Sequence, residues 1–125
     1  MKENVISYQV IGCCIELHRT LGPGLLESVY QSVLAFELRS LGLQVEEQVP
    51  IKIRYKDLEP QTGFRADIIV EDKVLIELKS VESLSSVHFA QTLTYLKLAN
   101  LKLALLINFN SSRLKDGIHR LVNNL

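Results

Sequence analysis

The run IIVEDKVLIELKS, Ile68 to Ser80, constrains the fold of this 125-residue chain more than any other. It reads as a strand, a tight turn and a second strand. In the second strand Val74, Ile76 and Leu78 point one way, while Leu75, Glu77 and Lys79 point the other. Loop length then decides what faces what. A two-residue loop, Glu71 and Asp72, would pair Val70 with Lys73 and set Asp67 opposite Ile76 on the wrong face. A three-residue loop, Glu71 to Lys73, pairs Val70 with Val74 and sets Asp67 directly across from Glu77. Only the odd loop lets Ile68, Val70, Val74, Ile76 and Leu78 share one apolar face, because residues opposite each other on a ladder point the same way. The expectation is two opposed carboxylates, with β-carbons ~5 Å apart.

Like charges in direct opposition are destabilising, and there are three escapes: a proton, an intervening basic side chain, or a cation. Lys79, ~6.5 Å from Glu77 along the same strand, is the nearest basic group. It supports the plainer reading, a Glu–Lys–Asp ion cluster on a solvated sheet face. Glu27, in GPGLLESVY, supports another. It stands one turn into a helix, with Tyr30 at i+3 on nearly the same face. An acidic residue there suits the positive end of the helix dipole. A helix packed across the sheet would also carry Glu27 to Asp67 and Glu77. Three carboxylates and one ammonium then leave two surplus negative charges, which one divalent cation cancels. Oxygen ligands of this kind suit magnesium or manganese rather than zinc.

Around this hairpin the apolar spacing sets out the remaining elements. Ile6, Val10, Cys13 and Leu17 predict a helix from Asn4 to about Thr20, stopped by LGPG at 21–24. A second helix is expected from about Leu25 to Leu41, with Leu26, Val29, Val33, Leu34, Leu38 and Leu41 inward. QVEEQVPIKIRY alternates, placing Val45, Val49, Ile51, Ile53 and Tyr55 on one face, and Pro50 marks an edge strand or a bulge. KDLEPQTG reads as a polar connection and FRADIIV as the next strand. SLSSVHFAQTLTYLKLAN opens with serines able to cap a helix. Phe89, Leu93 and Leu96 form its apolar stripe, and His88, Gln91 and Tyr95 a separate polar one. LKLALLINF reads as a buried strand with a parallel neighbour. A terminal helix is expected from about Arg113, carrying Leu114, Ile118 and Leu121.

With 47% apolar residues and no repeat, linker or low-complexity tract, residues 1–125 are expected to form one domain. Fourteen basic and 14 acidic residues cancel, so a nucleic-acid partner would have to be held by a local patch. The adjacent Cys13 and Cys14 fit disulfide geometry poorly and read as small buried hydrophobes. There is no secretory leader pattern and no run near the 18 apolar residues a membrane span needs, so a cytoplasmic, membrane-free protein is expected.

The spacing D-x9-E-L-K, Asp67 to Glu77, Leu78 and Lys79, after a helix and a strand, resembles the signature of the PD-(D/E)XK nuclease superfamily. GLLESVY (Gly24, Glu27, Tyr30), QTLTYLKL and LLINF resemble more narrowly the GxxExxY family within it, from about His18 to the C-terminal helix. Ala66 stands where the superfamily name has proline, a replacement that is widespread. The resemblance implies an α/β, restriction-endonuclease-like αβββαβ core, a mixed central sheet flanked by helices with the metal site where the sheet splays. It implies Asp67 and Glu77 as metal-binding carboxylates, Lys79 as catalytic lysine, Glu27 as a supplementary carboxylate, and Gln91 and Tyr95 as the glutamine and its companion on the following helix.

A magnesium (or manganese) ion held by Asp67, Glu77 and the Leu78 carbonyl, with Glu27 on it or on a second ion, would polarise a phosphodiester and lower the pKa of a bound water. Lys79 would orient that water or stabilise developing negative charge. Gln91 would hydrogen-bond the phosphate or a metal-bound water, and Tyr95, Tyr30, Arg65 and His88 would face the substrate. For Arg65 a salt bridge is an equal reading; His18 and His119 are weaker candidates. Lys52, Arg54 and Lys56 offer a basic edge or simply a solvated strand face. The leading expectation is a metal-dependent nuclease acting on DNA, in which a homodimer would let so short a chain cover a long substrate. The rival is a non-catalytic nucleic-acid-binding or assembly module retaining the fold, and the third a scaffold with a structural ion cluster.

Overall fold

The computed structural model describes residues 1–60 and 63–125. Two helices open the chain, α1 (Glu3–Leu21) and α2 (Glu27–Ser40). Gly22 and Gly24, with φ of 72° and 97°, make the reversal between them around Pro23. Ile6, Val10, Cys14 and Leu17 of α1 and Tyr30, Leu34 and Leu38 of α2 are buried at helical spacing. Leu26, Val29 and Leu41, expected inward, are exposed. The inward stripe of α2 runs through Tyr30 instead, a quarter-turn round the helix. Both cysteines are free thiols; Cys14 is buried and Cys13 half-buried.

Among the described residues five strands follow in sheet order β1 (Val45–Ile51), β2 (Phe64–Val70), β3 (Val74–Lys79), β4 (Leu103–Asn108) and β5 (Ile118–Val122). All neighbours are antiparallel except β3 and β4, which run parallel because α3 (Ser86–Leu98), capped by Ser85, carries the chain across the sheet. All six residues of β4 are buried, as its unbroken apolar run requires. One face of the sheet (Ile68, Val70, Val74, Ile76, Leu78, Leu103, Leu105) packs on α1 and α2. The other, with Ile69, Leu75 and Ala104, packs on Tyr95 and Leu96 of α3. The α/β architecture is a mixed sheet flanked by helices, as expected. Among the described residues no helix is long and apolar enough to cross a membrane.

Two segments depart from the sequence reading. β1 is an edge strand, as Pro50 suggested, but it ends at Ile51, and beyond it Tyr55 and Leu58 form an isolated bridge. Its apolar residues do not share a face: Val45 packs with the α1–α2 core, whereas Val49 and Ile51 pack with the α3 core. The strand rolls over at Gln48, whose φ is 50°. The polar connection read over KDLEPQTG includes Gln61 and Thr62, which lie outside the described residues.

The expected terminal helix is instead a 3-10 turn, Leu114–Gly117, followed by β5. Leu114, Ile118 and Leu121 are spaced for a helix, but the free edge of β4 offers unpaired N–H and C=O groups, and pairing wins. In a strand the three-residue interval sends Ile118 and Leu121 to opposite faces, and they pack in different cores. Gly117 permits the approach, since a β-carbon there would lie 2.5 Å from the Asn108 carbonyl oxygen.

Candidate active site

The β2–β3 ladder has the register that the three-residue loop requires, Val70↔Val74, Ile69↔Leu75 and Ile68↔Ile76. The next pair would be Asp67 and Glu77, and there the backbone rungs stop. The Asp67 N–H donates instead to Glu77 Oε1 at 3.1 Å, and the Leu78 N–H donates to Asp67 Oδ2 at 2.7 Å. The strands part at this level, and two carboxylates fill the split by taking up amides that the ladder would otherwise pair. Accepted by an ionised carboxylate, such a bond is charge-assisted and stronger than the neutral one it replaces.

The electrostatics follow from burial. Glu77 is only 4% exposed, and its carboxyl is pushed up to about 8, by desolvation first and by the Asp67 charge second. The Asp67 N–H and the Lys79 charge pull it down, while Glu27 adds to the rise. Asp67, half-buried, is also raised by desolvation, against the Leu78 N–H, a Gln48 hydrogen bond and Lys79, with Glu27 again adding. Among the described residues Lys79 forms no ion pair with either carboxylate. Its charge acts through space, and the partners of Asp67 and Glu77 are two backbone amides and the Gln48 side-chain amide. A closed Glu–Lys–Asp cluster is therefore not what holds this site.

Glu27 opens α2 and accepts the Ser80 N–H at 3.3 Å, one residue past Lys79. Ser80 Oγ donates in turn to the Leu25 carbonyl at 2.7 Å, so the start of α2 is stitched to the end of β3. Tyr30, expected at the substrate, is fully buried. Its hydroxyl donates to Gly22 O at 2.5 Å and accepts the Leu25 N–H at 3.2 Å, and its ring stacks on Phe109 at 4.4 Å. It locks the LGPG reversal from inside. A helix-spaced tyrosine next to a glycine turn serves the turn before any ligand.

From the other side α3 brings Tyr95, whose phenol is raised by burial and then by the Glu77 charge, with Asp67 adding, so all three feel one another. Gln91 Nε2 donates to Tyr95 Oη at 3.1 Å. His88, expected at the substrate, is engaged elsewhere, its Nδ1 accepting the Ser85 N–H at 3.1 Å at the start of α3. Arg65 is exposed and donates to the Gln48 carbonyl at 3.2 Å rather than to a carboxylate. His18 Nε2 donates to Ser111 O at 2.9 Å, and His119 lies edge-on to Phe89 at 4.9 Å, each bound up in its own contacts. Gln48 is the residue that sequence reasoning missed: its Nε2 donates to Asp67 Oδ1 at 3.2 Å. The pairing register carries the signal, because extending it from Val45↔Val70 sets Gln48 across from Asp67.

The donor set fits a hard cation. Asp67 and Glu77 offer oxygens only, and a carboxyl as disfavoured in its ionised form as Glu77 is relieved by a positive ion. Among the described residues no three or more His, Cys, Asp or Glu side chains are gathered as a ready ligand array. Asp67 and Glu77 are thus the pair in place, and Glu27 reaches them as a charge while its carboxylate holds Ser80.

Comparison with known proteins adds family to geometry. No curated protein and no solved structure matches the chain. The family model of the PD-(D/E)XK nuclease superfamily matches residues 4–121, nearly the whole of it. On that match, this chain belongs to the PD-(D/E)XK nuclease superfamily.

Proposed function

We propose that this protein is a divalent-metal-dependent nuclease that hydrolyses phosphodiester bonds in DNA. One observation carries the reading: Asp67 and Glu77 are cross-bonded in the β2–β3 split, with Glu77 pushed up to about 8 and the Lys79 ammonium close by but unpaired with them. Asp67 and Glu77 are the residues that would hold magnesium or manganese. When bound, such an ion supplies Lewis acidity toward a phosphoryl oxygen and a more acidic water. Glu77 has to give up its proton for this, so the site works where the carboxyl is ionised. Lys79, on the same face of β3, is free to orient the attacking water or to stabilise charge developing on the phosphate. Gln91 and Tyr95 of α3, the latter within reach of the Glu77 and Asp67 charges, would serve as hydrogen-bonding groups for the substrate.

The GxxExxY branch is the narrower assignment we favour, because each signature residue has a structural task here. Gly24 supplies a φ of 97°, Tyr30 braces the same turn, and Glu27 holds the end of β3 beside the carboxylates. The 125 residues act as one catalytic unit in this reading.

The test has two readouts. Magnesium chloride at about 100 times its Kd should stabilise the native state by ~2.7 kcal/mol. The resulting rise in melting temperature should be reduced in Glu77→Gln. On a panel of single- and double-stranded DNA and RNA, cleavage should require magnesium or manganese and vanish in Lys79→Ala. Cleavage persisting in Lys79→Ala overturns the catalytic assignment. Metal-independent binding without any cleavage would make the protein a binding module that keeps the fold.

A further inference from the structure

Gln48 interrupts β1 at one point. Glu47↔Ile68 and Val49↔Ala66 pair on either side of it, yet the intervening rung to Asp67 is missing. Its φ of 50° lies in the left-handed region, unfavourable for a residue with a β-carbon in the middle of a strand. Such outliers persist where surrounding structure demands them, and they gather at functional sites. Here the demand is visible. Both amide hydrogens of Gln48 are used, one on Asp67 Oδ1 at 3.2 Å and one on Gln31 Oε1 at 2.7 Å. Gln31 Nε2 donates onward to Glu47 Oε1 at 3.2 Å, and Arg39 closes the chain on Glu47 Oε2 at 2.9 Å. A carboxylate only accepts, so Asp67 and Glu47 at the two ends fix the orientation of both amides between them.

Asp67 is consequently gripped on both oxygens, Oδ1 by Gln48 from the β1 edge and Oδ2 by the Leu78 N–H from β3. Each oxygen keeps a further lone pair for a cation. We propose that Gln48 is a positioning residue of the metal centre: with Gln31 it holds the Asp67 carboxylate in the orientation that binds the ion, and the left-handed backbone at Gln48 is kept for that purpose. The proposal rests on the reading of Asp67 and Glu77 as metal-binding carboxylates. Outer partners that orient metal-binding groups typically change affinity or activity by 10- to 100-fold when removed.

The experiment titrates magnesium chloride into wild type, Gln48→Gly, Gln31→Ala and Asp67→Asn, following melting temperature and binding heat. Gln48→Gly removes the amide and the backbone strain together. Its metal-free melting temperature should equal or exceed that of wild type, while its magnesium Kd should weaken about 10-fold. Gln31→Ala leaves the β1 backbone alone, guards against misfolding of the first variant, and should weaken the Kd several-fold. A role confined to β1 stability would give the reverse, a lower metal-free melting temperature with unchanged Kd, and would overturn the proposal. A wild-type shift that Asp67→Asn abolishes but Gln48→Gly and Gln31→Ala leave intact overturns the role of Gln48 alone. No magnesium response in wild type overturns the metal reading itself, and the role of Gln48 with it.

Discussion

In the folded chain Glu77 keeps its proton up to a pH of about 8, whereas an unfolded glutamate loses it near 4.5. Between those values the folded state binds the extra proton, so stability is full below the lower pH and is lost as pH rises through the upper one. Each tenfold displacement of the acid constant is worth ~1.4 kcal/mol. In a chelator, the wild-type melting temperature should therefore fall steadily from about pH 5 to about pH 9, and Glu77→Gln should flatten the fall. Glutamine keeps an oxygen to accept the Asp67 N–H, so the variant tests the charge and not the hydrogen bond. An equally steep fall in Glu77→Gln would place the titrating group elsewhere. The opposition of Asp67 and Glu77 was legible in the sequence because apolar alternation and loop parity together leave one register. Gln48 was not, because the sign of φ leaves no trace in an alternating pattern. Tyr30 was misread because a tyrosine one turn from a candidate glutamate looks the same whether its ring faces solvent or core.

Element boundaries follow the same division. The hairpin, α3 and the parallel placement of β4 were readable because each has one packing solution. The segment after β4 had two, a helix with Leu114, Ile118 and Leu121 on one stripe or a strand that divides Ile118 from Leu121, and the choice was made by the open edge of β4. Gly117 is the hinge of that choice. Its missing β-carbon would stand 2.5 Å from Asn108 O and 2.6 Å from Ser111 Oγ, and the carbonyl belongs to the end of β4 and cannot easily retreat. Asn108 also clamps the loop between β3 and α3, accepting the Val81 N–H at 3.1 Å and donating to Val81 O at 3.0 Å. Gly117→Ala should cost ~1–3 kcal/mol, the usual range for overpacking. The urea midpoint should drop with the slope unchanged. A midpoint equal to wild type would mean that the turn and β5 move away at little cost.

At the scale of the whole molecule, equal numbers of basic and acidic residues leave no long-range field to draw in a polyanion. If the proposed function holds, binding to DNA depends on what one edge can offer. Lys52, Arg54 and Lys56, in the segment after β1, and Arg65, at the start of β2, are all exposed, and Arg65 donates to the Gln48 carbonyl. Arg54 is partly committed to Glu59 at 3.6 Å, and Lys56 lies over the Tyr55 ring at 5.4 Å. An edge with so few cations can neutralise only a few phosphates, and each neutralised phosphate contributes about −0.9 to the slope of log K against log salt on duplex DNA. Affinity measured in a chelator, where cleavage is off, should thus show a shallow slope of roughly −2 to −4. Lys52→Ala and Lys56→Ala should each reduce its magnitude by about 1. Fluorescence anisotropy of a labelled oligonucleotide across a salt series reads both quantities directly. A much steeper slope, or one untouched by both variants, would move the DNA path away from the β1 edge and leave the carboxylates to be approached from the α3 side, past Tyr95 and Gln91.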